Sequence, residues 1–225
     1  MQSELLKENG NDPISAWRIF KIMAEFVQGF ELLQHIGKAA SVFGSARTEP
    51  GTPIYEEGVK LGRLLAENDF TVITGGGGGV MEALNKGAFE AGGRSVGLNI
   101  LLPQEQALNQ YVNESATFHY FFTRKVSLAF SSEVYIYFPG GFGTLDEFFE
   151  ILTLVQTKKI QPLPIILVGR DYWSPLVEWM RTTVLERYQG IHEDDLSLFH
   201  VVDTAEEAIE VANRYVPESE RTLKS

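Results

Sequence analysis

The sequence predicts an α/β protein built on a doubly wound parallel sheet. Three observations carry this. After Gly37 the chain alternates short runs rich in Val, Ile and Phe with amphipathic helical patterns. Most of these runs lead directly into a helix, the pattern of βα units with helices on both faces of a parallel sheet. Three of the predicted strands end in small residues, where such sheets hold ligands. The expectation is a Rossmann-like domain with an N-terminal helix in front of it.

Taken in order, Asp12 before Pro13 reads as a helix cap followed by a first-turn proline, opening a helix to about His35. Its apolar residues, from Ile14 and Trp17 through Phe20, Met23 and Val27 to Leu33, cover more than one stripe. Such a helix is buried on several sides, either wholly within its own subunit or against a second one as well. Strands are predicted at Ala39 to Phe43, Thr71 to Thr74, Arg94 to Leu98, Phe118 to Phe122, Val134 to Phe138, Pro164 to Val168 and His200 to Val202. Helices are predicted at Ile54 to Glu67, Val80 to Ala91, Arg124 to Ser131, Thr144 to Lys159, Pro175 to Tyr188 and Ala205 to Tyr215. Residues 1–225 are expected to form a single domain, with 1–37 as a helical extension and 217–225 as a fraying polar tail.

Composition narrows the function classes. The 225 residues suffice for one sizeable core, and 44% hydrophobic with 22% charged residues is an ordinary globular balance. A net charge of −11 argues against a surface that holds nucleic acid polymers. Any bound phosphate should be small and locally held. The absence of cysteine removes disulfides, thiolate metal sites and a cysteine nucleophile. The start of the chain lacks a signal-peptide pattern, and no apolar run approaches the roughly 20 residues that span a bilayer. A cytoplasmic location without membrane contact is expected. His35, His119, His192 and His200 show no metal-ligand spacing, and Glu193 to Asp195 read as a solvated turn.

The ligand candidates lie at the strand ends. In "VFGSARTEP", Gly44 and Ser45 offer backbone amides and a hydroxyl. In "VITGGGGGVMEALNKGA", Gly75 to Gly79 run into a helix. The dinucleotide pattern fails there, because Val80 occupies the third glycine position and "SVGLNI" lacks the ribose-binding acid. A P-loop is excluded by the missing Lys-Ser/Thr. Backbone that approaches a ligand closely at a helix start remains, with Gly76 and Gly77 as the contacts. In "FPGGFGTLDEFFE", Pro139 ends a strand, and Gly140, Gly141 and Gly143 can take conformations closed to other residues. The amides of Phe142 to Thr144 and the Thr144 hydroxyl would then form a phosphate nest. The same stretch fits a Thr-x-x-Glu capping box, in which Glu147 only reaches back to its own helix. Arg124 and Lys125 in "YFFTRKVSL" form a candidate anion clamp, set where helix-start positive charge is mildly unfavourable.

These segments in this order, "FGSARTEP", "TGGGGGVMEALNKGAFEAGG", "TRK" and "PGGFGTLDE", resemble the LOG family, often labelled lysine decarboxylase-like. The resemblance spans about Ala39 to Gly169. It implies a Rossmann-like fold, a homodimer, and hydrolysis of the N-glycosidic bond of a nucleoside 5′-monophosphate to free base and ribose 5-phosphate. It implies Arg124 and Glu147 as the catalytic pair, with Gly141, Gly143 and Thr144 on the phosphate. Glu147 would hydrogen-bond the ribose or orient the water, and Arg124 would position phosphate and carboxylate. No metal or other cofactor is expected. Plant members read G-L-M-G where this chain has Val80-Met81-Glu82-Ala83, and the loop "LLPQEQALNQYVNES" is longer here. Met81, Glu82 and that loop would border the base, so the substrate expected is AMP-like or a cytokinin riboside 5′-monophosphate. A decarboxylase would need a lysine in a pyridoxal phosphate pocket, which the sequence does not suggest. The competing expectation is a non-catalytic nucleotide sensor or carrier with the same cradle.

Overall fold

The computed structural model describes residues 16–101 and 107–215. The Asp12-Pro13 cap, the tail and residues 102–106 of the long loop lie outside these. In chain order the elements are α1 (Ala16–Gln34), β1 (Ala39–Phe43), α2 (Pro53–Glu67), β2 (Thr71–Thr74), α3 (Val80–Glu90), β3 (Ser95–Ile100) and β4 (Glu114–Phe118). There follow α4 (Phe121–Ala129), β5 (Val134–Tyr137), α5 (Phe142–Gln156), β6 (Ile165–Val168), α6 (Arg170–Trp179), β7 (His200–Val202) and α7 (Ala205–Tyr215). The seven strands form one sheet in the order β4-β3-β2-β1-β5-β6-β7, and every pairing is parallel. Strand order reverses between β1 and β5, so the carboxyl ends of these two strands flank the crevice in which open α/β sheets bind ligands.

Side chains alternate between two cores. Ala39, Phe43, Ile73, Leu98, Tyr135, Tyr137 and Ile165 face one, together with Leu128 of α4, Phe148 and Ile151 of α5 and Trp173 of α6. Ala40, Val42, Val72, Val134, Ile136 and Ile166 face the other, with Leu61 of α2, Leu84 of α3 and Ala208 of α7. On that second face α2 and α3 touch through backbone. A Cβ on Gly62 would strike the Leu84 carbonyl, and one on Gly87 the Val59 carbonyl. Phe148 fixes α5 against the first core, with ring centroids 5.5 Å from Tyr137, 5.4 Å from Trp173 and 5.9 Å from Phe199. That packing sets which way the preceding residue, Glu147, points.

Three boundaries differ from the sequence expectation, each for a local reason. β4 covers Glu114–Phe118, and the apolar run predicted as strand to Phe122 turns into α4 instead. The amides of His119 and Tyr120, which a longer strand would pair, donate to the Glu25 carboxylate of α1. Arg124 and Lys125 consequently stand in the second turn of a helix. α5 begins at Phe142, with Gly141 as its cap residue, which places Thr144 inside the helix. α6 starts at Arg170 because the Asp203 carboxylate accepts the Arg170 amide (2.9 Å), leaving Pro175 within the helix, which continues as a π-helical stretch over Met180–Arg187.

Candidate active site

Contacts between loops close the carboxyl ends of β1, β2 and β5 into one site. The Ser45 amide donates to the Pro139 carbonyl (3.0 Å), tying the β1 loop to the β5 loop. The Val80 amide donates to the Ser45 carbonyl (2.9 Å), tying the β1 loop to the start of α3. Gly75 faces the Arg124 guanidinium, for a Cβ there would lie 2.6 Å from an Arg124 Nη and 2.7 Å from the Met81 sulfur. Arg124 Nε donates to the Leu98 carbonyl at 2.7 Å, which aims the guanidinium across the end of β3. Lys125 Nζ reaches Glu147 at 3.7 Å, so α4 and α5 meet through their charged residues.

Glu147 is 8% exposed, and burial lifts its carboxyl from 4.5 to about 7. Lys125 and Arg124 oppose that rise; Glu150 and Asp146 add to it. Arg124 is pulled below its ordinary value by burial, against the attraction of the Glu147 carboxylate. Lys125 is bound to Asp146 (2.5 Å) and Glu150 (2.8 Å) as well as Glu147. Burial acts to lower the Lys125 pKa, and these acids more than reverse it. Lys125 is therefore the counter-charge of the α5 acids, whereas the sequence suggested an anion clamp. The capping box between Thr144 and Glu147 does not form either, because the helix starts before Thr144 and Gly141 carries no side chain to complete it. Glu147 has no cap duty, and the Tyr137 hydroxyl donates to its backbone carbonyl at 3.2 Å.

The two glycine-rich helix starts are not equivalent. At α3, the first amide donates to Ser45, and Glu82 lies in the first turn with its carboxylate near Gly78 and 3.3 Å from the Tyr55 hydroxyl. That acid disfavours an anion there. At α5 the first turn carries no acid, and a Cβ on Gly141 or Gly143 would meet nothing within 4 Å. The Phe142 and Gly143 amides lie in this first turn and have no intrahelical acceptor. The Thr144 amide differs from the sequence expectation: it donates to the Gly141 carbonyl at 3.0 Å. Gly140, Gly141 and Gly143 also avoid left-handed backbone, whereas in the Gly75 to Gly79 run Gly76 and Gly79 have positive φ, 72° and 67°. Gly140 is required for a steric reason, since a Cβ would overlap the Thr144 side chain.

The β1 loop contributes less than expected. Gly44 packs directly on Val80, and the Ser45 hydroxyl accepts the Arg47 amide at 3.1 Å. Four residues escaped sequence reasoning. Asn109 donates to the Gly76 and Gly77 carbonyls (3.2 and 2.9 Å) and to Asn85 (3.0 Å). Asn85 in turn accepts from Thr74 (2.6 Å) and donates to Ser95 (2.7 Å), pinning the glycine loop. Isolated polar residues spread over two strands, a helix and a loop carry no spacing signal, so nothing in the sequence singled them out.

The family model described as "Possible lysine decarboxylase" matches residues 81–212. The chain belongs to this family. Among relatives of this family member, the cytokinin riboside 5′-monophosphate phosphoribohydrolase LOG of Oryza sativa subsp. japonica is 30% identical over 166 residues, 72% of this chain and 67% of the relative. The cytokinin riboside 5′-monophosphate phosphoribohydrolase of Rhodococcoides fascians is 27% identical over 157 residues, 67% of this chain and 78% of the relative. Among solved structures, TM1055 is 26% identical, with a TM-score of 0.56 over 79% of this chain and 99% of that one. The molybdenum cofactor binding protein of Rippkaea orientalis shares the fold, with a TM-score of 0.59 at 23% identity, covering 80% of this chain and 98% of that one.

Proposed function

We propose that this LOG-family member hydrolyses the N-glycosidic bond of a nucleoside 5′-monophosphate, AMP or a cytokinin riboside 5′-monophosphate, to free base and ribose 5-phosphate. One observation carries the reading: a buried carboxylate lifted to about 7, Glu147, stands five residues into the helix whose open first turn suits a phosphate, beside Arg124 and Lys125. In this reading the Phe142 and Gly143 amides, with Thr144, hold the 5′-phosphate at Gly141 and Gly143. The ribose then lies over α5, its C1′ facing Glu147. As the C1′–N bond breaks, positive charge grows on the sugar, and the Glu147 carboxylate stabilises it and takes a proton from the attacking water. The base leaves with the bond's electron pair and takes up the proton that Glu147 accepted from the water, which returns Glu147 to its carboxylate. Arg124, aimed by Leu98, holds phosphate and carboxylate together so that two negative groups share one site. Gly76, Gly77, Met81 and Glu82 border the ribose and base.

The exposed face of α1 supports a homodimer within the same proposal. Trp17 is 76% exposed and Phe20 59%, and Met23 and Val27 continue the stripe. Incubation of the protein with a panel of nucleoside 5′-monophosphates, followed by chromatography for base and ribose 5-phosphate, tests the activity. Binding of every nucleotide without turnover would leave the carrier reading in its place.

A further inference from the structure

α4 carries Arg124 and Lys125 but begins without a side-chain cap of its own, since Tyr120 at its cap position makes none and its first turn holds no acid. The missing group comes from α1. Glu25 is 7% exposed, and its Oε1 accepts the His119 amide at 2.9 Å and lies 3.0 Å from His119 Nδ1. Its Oε2 accepts the Tyr120 amide at 3.3 Å and lies 2.6 Å from the Thr123 hydroxyl. That hydroxyl is also 2.7 Å from the Tyr120 carbonyl, so a single proton serves both acceptors. A carboxylate here satisfies donors at the helix start and offsets the helix dipole, whose positive end would otherwise face the two cations.

α1 is seated closely enough to hold this contact in register. Gly29, one turn further along α1, faces α4 and β4, where a Cβ would lie 2.6 Å from the Ser127 hydroxyl and 3.2 Å from the Phe118 ring. On the opposite side α1 presents exposed Trp17, Phe20 and Met23. One face of the helix thus holds α4, and the other is open to solvent.

We propose that Glu25 is a positioning residue: from α1 it caps α4 and thereby holds Arg124 over Gly75 and against the Leu98 carbonyl. The consequence for ligand affinity rests on the proposed function, but the positioning itself does not. It follows that whatever shifts α1 shifts Arg124.

The test compares wild type, Glu25→Ala, Glu25→Gln and Glu25→Asp by NMR in the full chain, reading the exchange of the Arg124 Nε–H and of the 119–125 amides. Glu25→Ala should accelerate both at least tenfold relative to the amides of β1 and β5, while Glu25→Gln, which keeps one acceptor oxygen, recovers part of the protection. Gly29→Val, which displaces α1 without altering the carboxylate, should act in the same direction. Ribose 5-phosphate affinity, measured by calorimetry, should fall about tenfold in Glu25→Ala and show no further fall when Arg124→Ala is already present. Unchanged Arg124 Nε–H exchange in Glu25→Ala, or acceleration spread evenly over the whole chain, overturns the proposal. Equal losses of affinity with and without Arg124 overturn it too. A wild type that binds no ribose 5-phosphate would sink the proposed function alone, because the exchange readouts still decide the cap.

Discussion

Glu147 is a buried acid that faces the charge of Lys125 and Arg124. Its carboxyl titrates at about 7 when folded, against 4.5 when free. An acid raised in this way stabilises the fold at low pH relative to high pH. The contribution is complete below about 4.5 and lost as pH climbs through about 7. Glu147→Gln removes that loss. Its melting temperature should match wild type near pH 4.5, exceed it increasingly up to pH 7 and hold level above, with a difference of up to about 3 kcal/mol at neutral pH. Activity should move the opposite way, falling about 100-fold or more. The wild-type kcat/KM profile should rise through about 7, since the carboxylate is the working form. Lys125 is the largest charge holding that value down, so Lys125→Met should shift the limb to higher pH. At this scale the sequence was partly legible. The residues of the Arg-Lys pair and of the glycine motif stand near one another, but Lys125 pairs with the α5 acids and Thr144 lies inside the helix instead of capping it. Thr-x-x-Glu fits a capping box only if the helix starts at Thr144, and a one-turn ambiguity in a glycine-rich start is invisible to local pattern.

In the proposed function α5 supplies both the anion site and the carboxylate. Its first turn lies in open space at Gly141 and Gly143, and its next turn is locked by Phe148 among three aromatic rings. Two glycine substitutions separate binding from packing. Gly141→Ala adds a methyl where nothing lies within 4 Å, on backbone any residue adopts (φ −94°, ψ −161°). It should leave the melting temperature within about 2 °C and raise KM for a nucleoside monophosphate, because the methyl occupies phosphate space. Gly140→Ala instead overlaps Thr144, and should destabilise by about 1–3 kcal/mol as well as weakening binding. Thermal unfolding beside steady-state kinetics distinguishes the two. Strong apolar runs such as Thr71–Thr74 and His200–Val202 were placed correctly from sequence, because a short β-branched run between helical patterns has few alternatives. α4 was misplaced because its start depends on Glu25, 94 or more positions away in the chain. Long-range hydrogen bonding of that kind overrides local propensity.

Across the whole molecule, the parallel sheet and its reversal between β1 and β5 bring the loops after β1, β2 and β5 to one end of the sheet. The alternation of strand and helix made this architecture readable from the sequence alone. The helix that caps α4 through Glu25 also carries exposed Trp17, Phe20, Met23 and Val27 on its outer face. If α1 packs on a second copy, Phe20→Asp with Val27→Asp should convert the dimer to a monomer in analytical ultracentrifugation and lower turnover through the displaced α4. A native protein that sediments as a monomer at micromolar concentration would contradict the dimer. The central claim concerns Glu147, and a single-turnover comparison of wild type with Glu147→Gln on AMP and on a cytokinin riboside 5′-monophosphate addresses it most directly. Wild type is predicted to release free base and ribose 5-phosphate in equal amounts from at least one of them, with Glu147→Gln binding that nucleotide but releasing products at least 100-fold more slowly. Equal rates in the two proteins, or nucleotide bound by wild type and never cleaved, would contradict it.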